Sequence, residues 1–507
     1  MKKINPQLIG MLWVLMLVSL ACQLTSPTPA SWSGTPTAEA RKATNDVINL
    51  TQQAAVEEDI ATPIPTATQI VATETPRPTV VADGPWLVYP ASEPGLIRAY
   101  DVDAGVTLEI ALPEPIYISD LITGLSPDGH TLIVRAGSPL NTDELALYQI
   151  DLPSTTVTKL MPLLNLTLQR RIVNEVGNLA FDTLRVVTRE DSLAWSPDGH
   201  YLAFTAAVNA NTSDLYLWNA ETGRIDRLNG LSTQSASPYW SLGSNWLISQ
   251  ELGNYTEETG WRAEVIYKMR IPGLNDQNSL YPPLSGSQSE IYLGWLNAQT
   301  MVTYSQTADG PMTLRQINVD TLQRSVLLSG SFSLAALDSN SASYAFVLDE
   351  AQASEEDIVS GVYLVTAGST VKLLQMVGEW TSLYAEPNGM FVASGTKGLL
   401  GFSASDQRFS LPDERMASIS PSGNWMVAWG TDEGGTPGAR LYRSSSGMVL
   451  QKLTDLPVRD VLWQADSTAF YLVTEDAIYR LAFPELSMVL IADGFDPEQA
   501  LTLTWVE

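Results

Sequence analysis

The twelve residues Leu193-Ala194-Trp195-Ser196-Pro197-Asp198-Gly199-His200-Tyr201-Leu202-Ala203-Phe204 are a unit that recurs along the chain. One close copy runs from Thr123 through Ser126-Pro127-Asp128-Gly129 to Val134, another from Ser418 through Ser420-Pro421-Ser422-Gly423 to Ala428. Weaker copies centre on Trp240-Ser241-Leu242-Gly243, Trp295-Leu296-Asn297-Ala298, Leu337-Asp338-Ser339-Asn340, Glu386-Pro387-Asn388-Gly389 and Trp463-Gln464-Ala465-Asp466. Each is an apolar run, a tight turn and a second apolar run. A second hairpin follows, as in Asp214–Arg224, Gly361–Gly368 and Ala439–Gly447. Two hairpins make a four-stranded sheet of roughly 40–45 residues, the period of a propeller blade. A sheet apolar on both faces buries neither by itself, so such units must stack on one another. The expected fold is all-β: one closed β-propeller.

The two ends of the repeat region complete each other. The chain ends Leu503-Thr504-Trp505-Val506-Glu507, the unit up to its tryptophan; the region begins Asp83-Gly84-Pro85-Trp86-Leu87-Val88-Tyr89, the unit from its turn onward. Pairing Leu501–Trp505 with Trp86–Tyr89 closes the ring and hides two open sheet edges. Eight continuous units and this composite give eight or nine blades.

The inner hairpin resembles the TolB-like/WD40-like (PD40-type) propeller repeat, whose motif is W-S-P-D-G-x-x-[IL]-[AV]-[FY]. The resemblance covers about residues 84–507. It implies the fold and says little about activity, because that architecture serves many functions. The same motif occurs in the propellers of prolyl-oligopeptidase-type enzymes.

The N-terminus reads as an export signal, residues 1–21. Lys2 and Lys3 precede an apolar run from Leu8 to Leu20, too short for a comfortable membrane span. It ends at Ala21-Cys22, and Cys22 is the only cysteine. A lone thiol closes no internal disulfide. Its place after the apolar run resembles the bacterial lipoprotein lipobox, which implies lipidation of Cys22 and anchoring at the cell envelope, outside the cytoplasm. Residues 22–83 are dominated by Thr, Pro, Ala and Ser and read as a disordered, extended stalk. A short helix is expected within 39–60. The formal net charge of -28 opposes nucleic acid, whose phosphates require Lys/Arg clusters.

No catalytic set stands out. His130 and His200 are the only histidines, and both occupy one repeat position, as turn residues would. No Ser-His-Asp set, G-x-S-x-G elbow or H-E-x-x-H motif is present, and no cofactor or metal is expected. Asp128 and Asp198 fit turns in which the carboxylate accepts a local backbone N–H. Trp195, Trp240, Trp295, Trp463 and Trp505 share one repeat position and fit blade-to-blade packing.

Insertions point to a binding face. Irregular segments at 207–213, 251–262, 305–311, 349–361 and 431–438 join second to third strands, on the face that also carries the links between blades. The longest, about 163–190, spaces Leu164, Leu168, Ile172, Val176, Leu179 and Leu184 as a helix does. Candidate binding residues on this face are Arg170, Arg171, Tyr255, Glu257, Trp261, Glu355 and Asp357. The expected function is a membrane-anchored scaffold for a protein, peptide or glycan partner. The alternative is a hydrolase or lyase using carboxylates in the central funnel.

Overall fold

The computed structural model describes Thr68–Ile70 and residues 84–506, apart from internal stretches that include 175–178, 256–260, 272–277, 280–288, 351–360 and 496–501. The export signal, Cys22, the helix expected within 39–60, Glu257, Glu355 and Asp357 lie outside the described residues.

The chain forms a β-propeller of nine antiparallel blades. Blade 1 joins Thr504–Val506 to Trp86–Pro90, Leu96–Asp101 and Val106–Ala111. Blades 2, 3 and 4 take residues 116–162, 193–227 and 234–279, and blades 5 and 6 run from 289 to 376. Blades 7, 8 and 9 take 380–411, 414–454 and 458–493. Thr68–Ile70 pairs along the outer strand of blade 2, Thr156–Pro162.

Strand alternation explains the stacking. In Trp86–Pro90 all five side chains are buried. Trp86 and Val88 pack with Leu132 and Val134 of blade 2, whereas Leu87 and Tyr89 pack with Tyr471 and Val473 of blade 9. A period of two thus supplies an apolar face to each neighbour. Nine apolar clusters of this kind span the nine seams between successive blades, blade 9 to blade 1 included.

In blades 3, 4 and 9 the repeated tryptophan adds a directed bond to the seam. Trp195 Nε1 donates to Gly124 O of blade 2 at 2.8 Å, and Trp240 Nε1 to Ala194 O of blade 3 at 3.0 Å. Trp463 Nε1 reaches Ser418 O of blade 8 at 3.3 Å. Each carbonyl belongs to the residue just before the equivalent position of the preceding blade. The indole wedges apolar surface into the seam and satisfies a carbonyl of the inner strand.

The Ser-Pro-Asp-Gly turns hold their carboxylates locally, and the blade 3 turn also donates Asp198 N–H to Ser244 Oγ of blade 4 at 3.0 Å. In blade 3, Ser196 Oγ donates to Asp198 Oδ1 at 2.6 Å, which also accepts the His200 N–H at 3.1 Å. Gly199 supplies the left-handed conformation (φ 73°) that the turn needs, as Gly129 does in blade 2 (φ 76°). In the blade 2 copy, the Ser126 hydroxyl holds the Asp128 carboxyl below its usual value. His130 and His200 are exposed turn residues.

Three local expectations are corrected. The inner segment of blade 2 is not a regular strand: it contains the single turn α1, Asp120–Thr123. The buried Asp120 carboxylate accepts the Arg135 N–H at 2.8 Å, replacing a strand carbonyl. Blades 5 and 6 share one continuous strand, Arg324–Asp338, the outer strand of one and the inner strand of the next. The segment 305–311 is mostly strand, because Thr300–Thr307 pairs with Gly310–Asn318 up to Thr307 opposite Gly310.

The ring closes with Trp86 opposite Val506, Leu87 opposite Trp505 and Val88 opposite Thr504. The closing strand is Thr504–Val506, shifted toward the C-terminus from the expected Leu501–Trp505. Deleting residues 500–507 removes Leu503 and Trp505 from the seam with blade 9 and Val506 from the seam with blade 2, and bares an inner edge. Burial losses of this size cost about 3–5 kcal/mol for a large side chain. That variant should melt well below the full chain or aggregate, while deleting residues 23–60 should leave the calorimetric melting temperature unchanged. Equal melting temperatures for the two truncations would contradict closure by this strand.

Candidate functional site

The described acids of the inner strands are held by partners close at hand. Asp120, Glu290 and Glu414 stand five positions before Leu125, Trp295 and Ile419, the equivalent position of each repeat. All three are buried, and each meets an arginine of its own blade. Arg135 Nη2 lies 2.6 Å from Asp120, Arg315 Nη1 lies 2.9 Å from Glu290, and Arg440 binds Glu414. Tyr442 also donates to Glu414 at 2.6 Å. Asp191, at the start of blade 3, accepts both ends of the Arg189 fork at 2.8 Å and the Ser237 hydroxyl at 2.6 Å. Burial works against ionisation of Asp191, but these bonds outweigh it and hold the carboxyl below its usual value. Burial and Asp191 push the neighbouring Tyr239 phenol up to about 12, so it stays a neutral donor to that carboxylate. A carboxylate engaged by a fork and a hydroxyl is an acceptor for its neighbours and a poor proton acceptor.

Two carboxyls differ. Burial raises Asp460 of blade 9, against one backbone bond from Val461 N–H. Burial raises Glu386 of blade 7 to about 7, against one bond from Ile419 N–H. They belong to different blades and different repeat positions. No group of three or more His, Cys, Asp or Glu side chains able to hold a metal ion occurs among the described residues.

The other candidate is the insertion between blades 2 and 3. It folds as two helices, α2 (Leu166–Asn174) and α3 (Leu179–Val187). Asn165 caps α2, its Oδ1 accepting the Leu168 N–H at 2.9 Å while its amide donates to Ala207 O and Ala210 O. Leu164, Leu168 and Ile172 are buried against blades 2 and 3, at the spacing the sequence shows. Thr183 of α3 donates to Asn211 O at 2.8 Å and accepts from Gln234 Nε2 at 2.9 Å, reaching blade 4.

Arg135 fixes this insertion. Its guanidinium is fully buried and donates to Asp120 at 2.8 and 2.6 Å. Its remaining Nη1 donates to Val187 O at 2.7 Å, to Arg189 O at 2.8 Å, and to Ser192 Oγ. A cation thus neutralises a buried carboxylate and caps the negative C-terminal end of α3.

Two residues between the second and third strands of blade 4, Tyr255 and Trp261, meet α3. Arg185 lies over the Tyr255 ring at 4.3 Å, and Tyr255 and Trp261 are 5.3 Å apart at 59°. Trp261 packs on Val186, Ala236 and Leu252. Arg185 is half-exposed and pairs with Asp182 at 3.2 Å. Of the expected binding residues, Tyr255 and Trp261 therefore come together with an arginine. Arg170 is exposed on α2 and Arg171 is partly buried there. The Asp120–Arg135 pair escaped the sequence reading, since neither residue is part of the repeat motif. Glu386 was visible as a glutamate in the motif's serine position.

Substituting Arg135 by Met strands Asp120 as a buried, unpaired charge, which costs about 3–5 kcal/mol. The variant should exchange the amides of 166–187 much faster than the parent in hydrogen-exchange mass spectrometry. Adding Asp120→Asn should restore part of the stability. Unchanged protection of α2 and α3 would contradict the anchoring role.

No family model matches the chain, and no curated protein does. Solved structures match at low identity. A dipeptidyl peptidase 4 from Porphyromonas gingivalis is 12% identical over 78% of this chain and 63% of its own, with TM-score 0.49. A structure described as the eukaryotic initiation factor gives 12% identity over 78% and 91% of the two chains, also with TM-score 0.49. An oligogalacturonate lyase in complex with manganese gives 13% identity over 71% and 98%, with TM-score 0.35. The chain spans less than two thirds of the peptidase's length.

Proposed function

We propose that the chain is an extracytoplasmic binding scaffold, held at the bacterial cell envelope through lipidated Cys22, that offers one face of its ring to a protein, peptide or glycan. The TolB-like form of the inner hairpin supports a place among such repeats. The observation that carries the reading is the α2–α3 insertion. Arg135 and Asp120 seat it on the ring, and it holds Arg185, Tyr255 and Trp261 together beside blade 4. Arginine, tyrosine and tryptophan on a rigid support are the residue types that dominate recognition surfaces. The paired state of Asp120, Asp191, Glu290 and Glu414 supports a binding role over chemistry at those carboxylates. The net charge of -28 favours partners with basic patches over nucleic acid.

A hydrolase or lyase is the second reading, favoured by the raised carboxyls Glu386 and Asp460, since a general acid needs such a shift.

Two outcomes test the reading. Cys22→Ser should move the protein from membranes to the soluble fraction with an unchanged melting temperature; membrane retention without an acyl mass on the parent N-terminus would remove the anchor. Trp261→Ala should weaken capture of the partner cross-linked in native membranes by about tenfold or more, the size of a recognition hot spot. Turnover of an ester, peptide or glycan library that survives Trp261→Ala and disappears in Glu386→Gln or Asp460→Asn would favour the enzyme instead.

A further inference from the structure

The seam between blades 7 and 8 is built differently from those around it. In blades 2, 3, 4 and 8 the residue after the tryptophan position is a buried serine: Ser126, Ser196, Ser241 and Ser420. Each hydroxyl accepts the amide N–H five residues on, from Thr131 and Tyr201 at 2.9 Å, Trp246 at 3.0 Å and Trp425 at 3.1 Å. Blade 7 carries Glu386 there. Its longer carboxyl leaves its own turn and crosses to blade 8, where Oε2 accepts the Ile419 N–H at 3.4 Å. Ile419 itself stands where Trp195, Trp240 and Trp463 stand in their blades, so the indole-to-carbonyl bond has no donor here. Tyr384 substitutes from the other side. Its hydroxyl donates to Ala417 O at 2.7 Å and accepts the Ala417 N–H at 3.3 Å.

The surroundings of Glu386 supply no cation among the described residues. Tyr384 faces it from its own strand, a phenol that burial pushes up and keeps neutral. From the end of the inner strand of blade 6, the Asp338 carboxylate lies against Gly389 of the same turn as Glu386. On the inner strand of blade 8, Glu414 and Arg415 stand at the far end. Glu414 is held by Arg440 and Tyr442, and Arg415 donates to Pro412 O and Glu414 O. Arg443 lies over the Trp425 ring at 5.6 Å. The strands Met390–Gly395, Gly398–Ser403 and Trp425–Thr431 bring no ionisable side chain.

We propose that Glu386 makes the seam between blades 7 and 8 the pH-responsive joint of the ring, tight while its carboxyl is protonated and looser once it ionises. A neutral carboxyl accepts the Ile419 amide without a buried charge. An ionised one sits partly buried in the seam with, among the described residues, one long hydrogen bond and no counter-charge. Burial accordingly raises this carboxyl to about 7 from an ordinary value of 4.5. The folded-state value lies above the unfolded one. Its stabilising contribution is therefore complete below the ordinary glutamate value and is lost as pH rises toward and through 7.

The test compares full-length protein with Glu386→Gln and Glu386→Ser, the latter restoring the serine of the other blades. Melting temperature is measured by calorimetry from about pH 5 to about pH 8. The parent should lose about 2 °C or more relative to each variant across that range. Hydrogen exchange of a peptide covering Glu414–Ile419, corrected for the intrinsic pH dependence, should accelerate at the alkaline end in the parent alone. Parallel melting profiles for the parent and either folded variant would overturn the proposal, and so would equal acceleration of that peptide in parent and variants.

Discussion

A blade of this protein has two apolar faces and no means of covering either. Leu87 and Tyr89 look toward blade 9 while Trp86 and Val88 look toward blade 2, and the same alternation repeats around the ring. Every blade therefore depends on both neighbours, and an open row of blades would leave an apolar face bare at each end. The closing seam meets this constraint by joining strands more than four hundred positions apart, Trp86–Val88 and Thr504–Val506. Closure is non-covalent, so it rests on strand pairing and on the packing of Leu503, Trp505 and Phe495 against blade 9.

The seams share a plan and depart from it in places that carry chemistry. Indole Nε1 atoms of blades 3, 4 and 9 donate to a carbonyl of the preceding inner strand. Blade 2 gives up its regular inner strand, and the Asp120 carboxylate takes over strand bonding to Arg135. The same arginine then ties down the end of α3. Blade 7 replaces a serine with Glu386, and blade 8 replaces a tryptophan with Ile419. One buried arginine thus supports the candidate binding face, and one partly buried carboxyl couples a seam to pH.

The fold was legible because it repeats. Ser-Pro-Asp-Gly marks turns at 126–129 and 196–199, and the split motif at the two ends announced a closed ring. The count settles at nine blades because the composite blade is real and the region 289–376 holds two blades joined by one continuous strand. That fusion was hidden: Arg324–Asp338 carries Gly330 and four serines, residues that read as a break, yet pairing on both sides keeps it extended. The insertion was legible from the spacing of Leu164, Leu168 and Ile172. The site was less so. Tyr255 and Trp261 stood out as aromatics in an insertion, but their convergence on Arg185 depends on how α3 docks to blade 4, which Thr183 and Gln234 decide across blades. Buried ion pairs such as Asp120 with Arg135 join residues from different elements, and a local pattern does not reveal them.

Closure of the ring by the C-terminal strand is the claim on which the account stands, and a cross-strand disulfide tests it directly. Val88 and Thr504 are opposed in the closing pair. Opposed antiparallel residues lie about 4.5–5.5 Å apart at Cα, within the span of a disulfide. In a Cys22→Ser background, Val88→Cys with Thr504→Cys should oxidise to a single intramolecular bond, losing two hydrogens in intact mass and raising the melting temperature. A pair that stays reduced under mild oxidation, in protein that is otherwise folded, would contradict the closed nine-bladed ring.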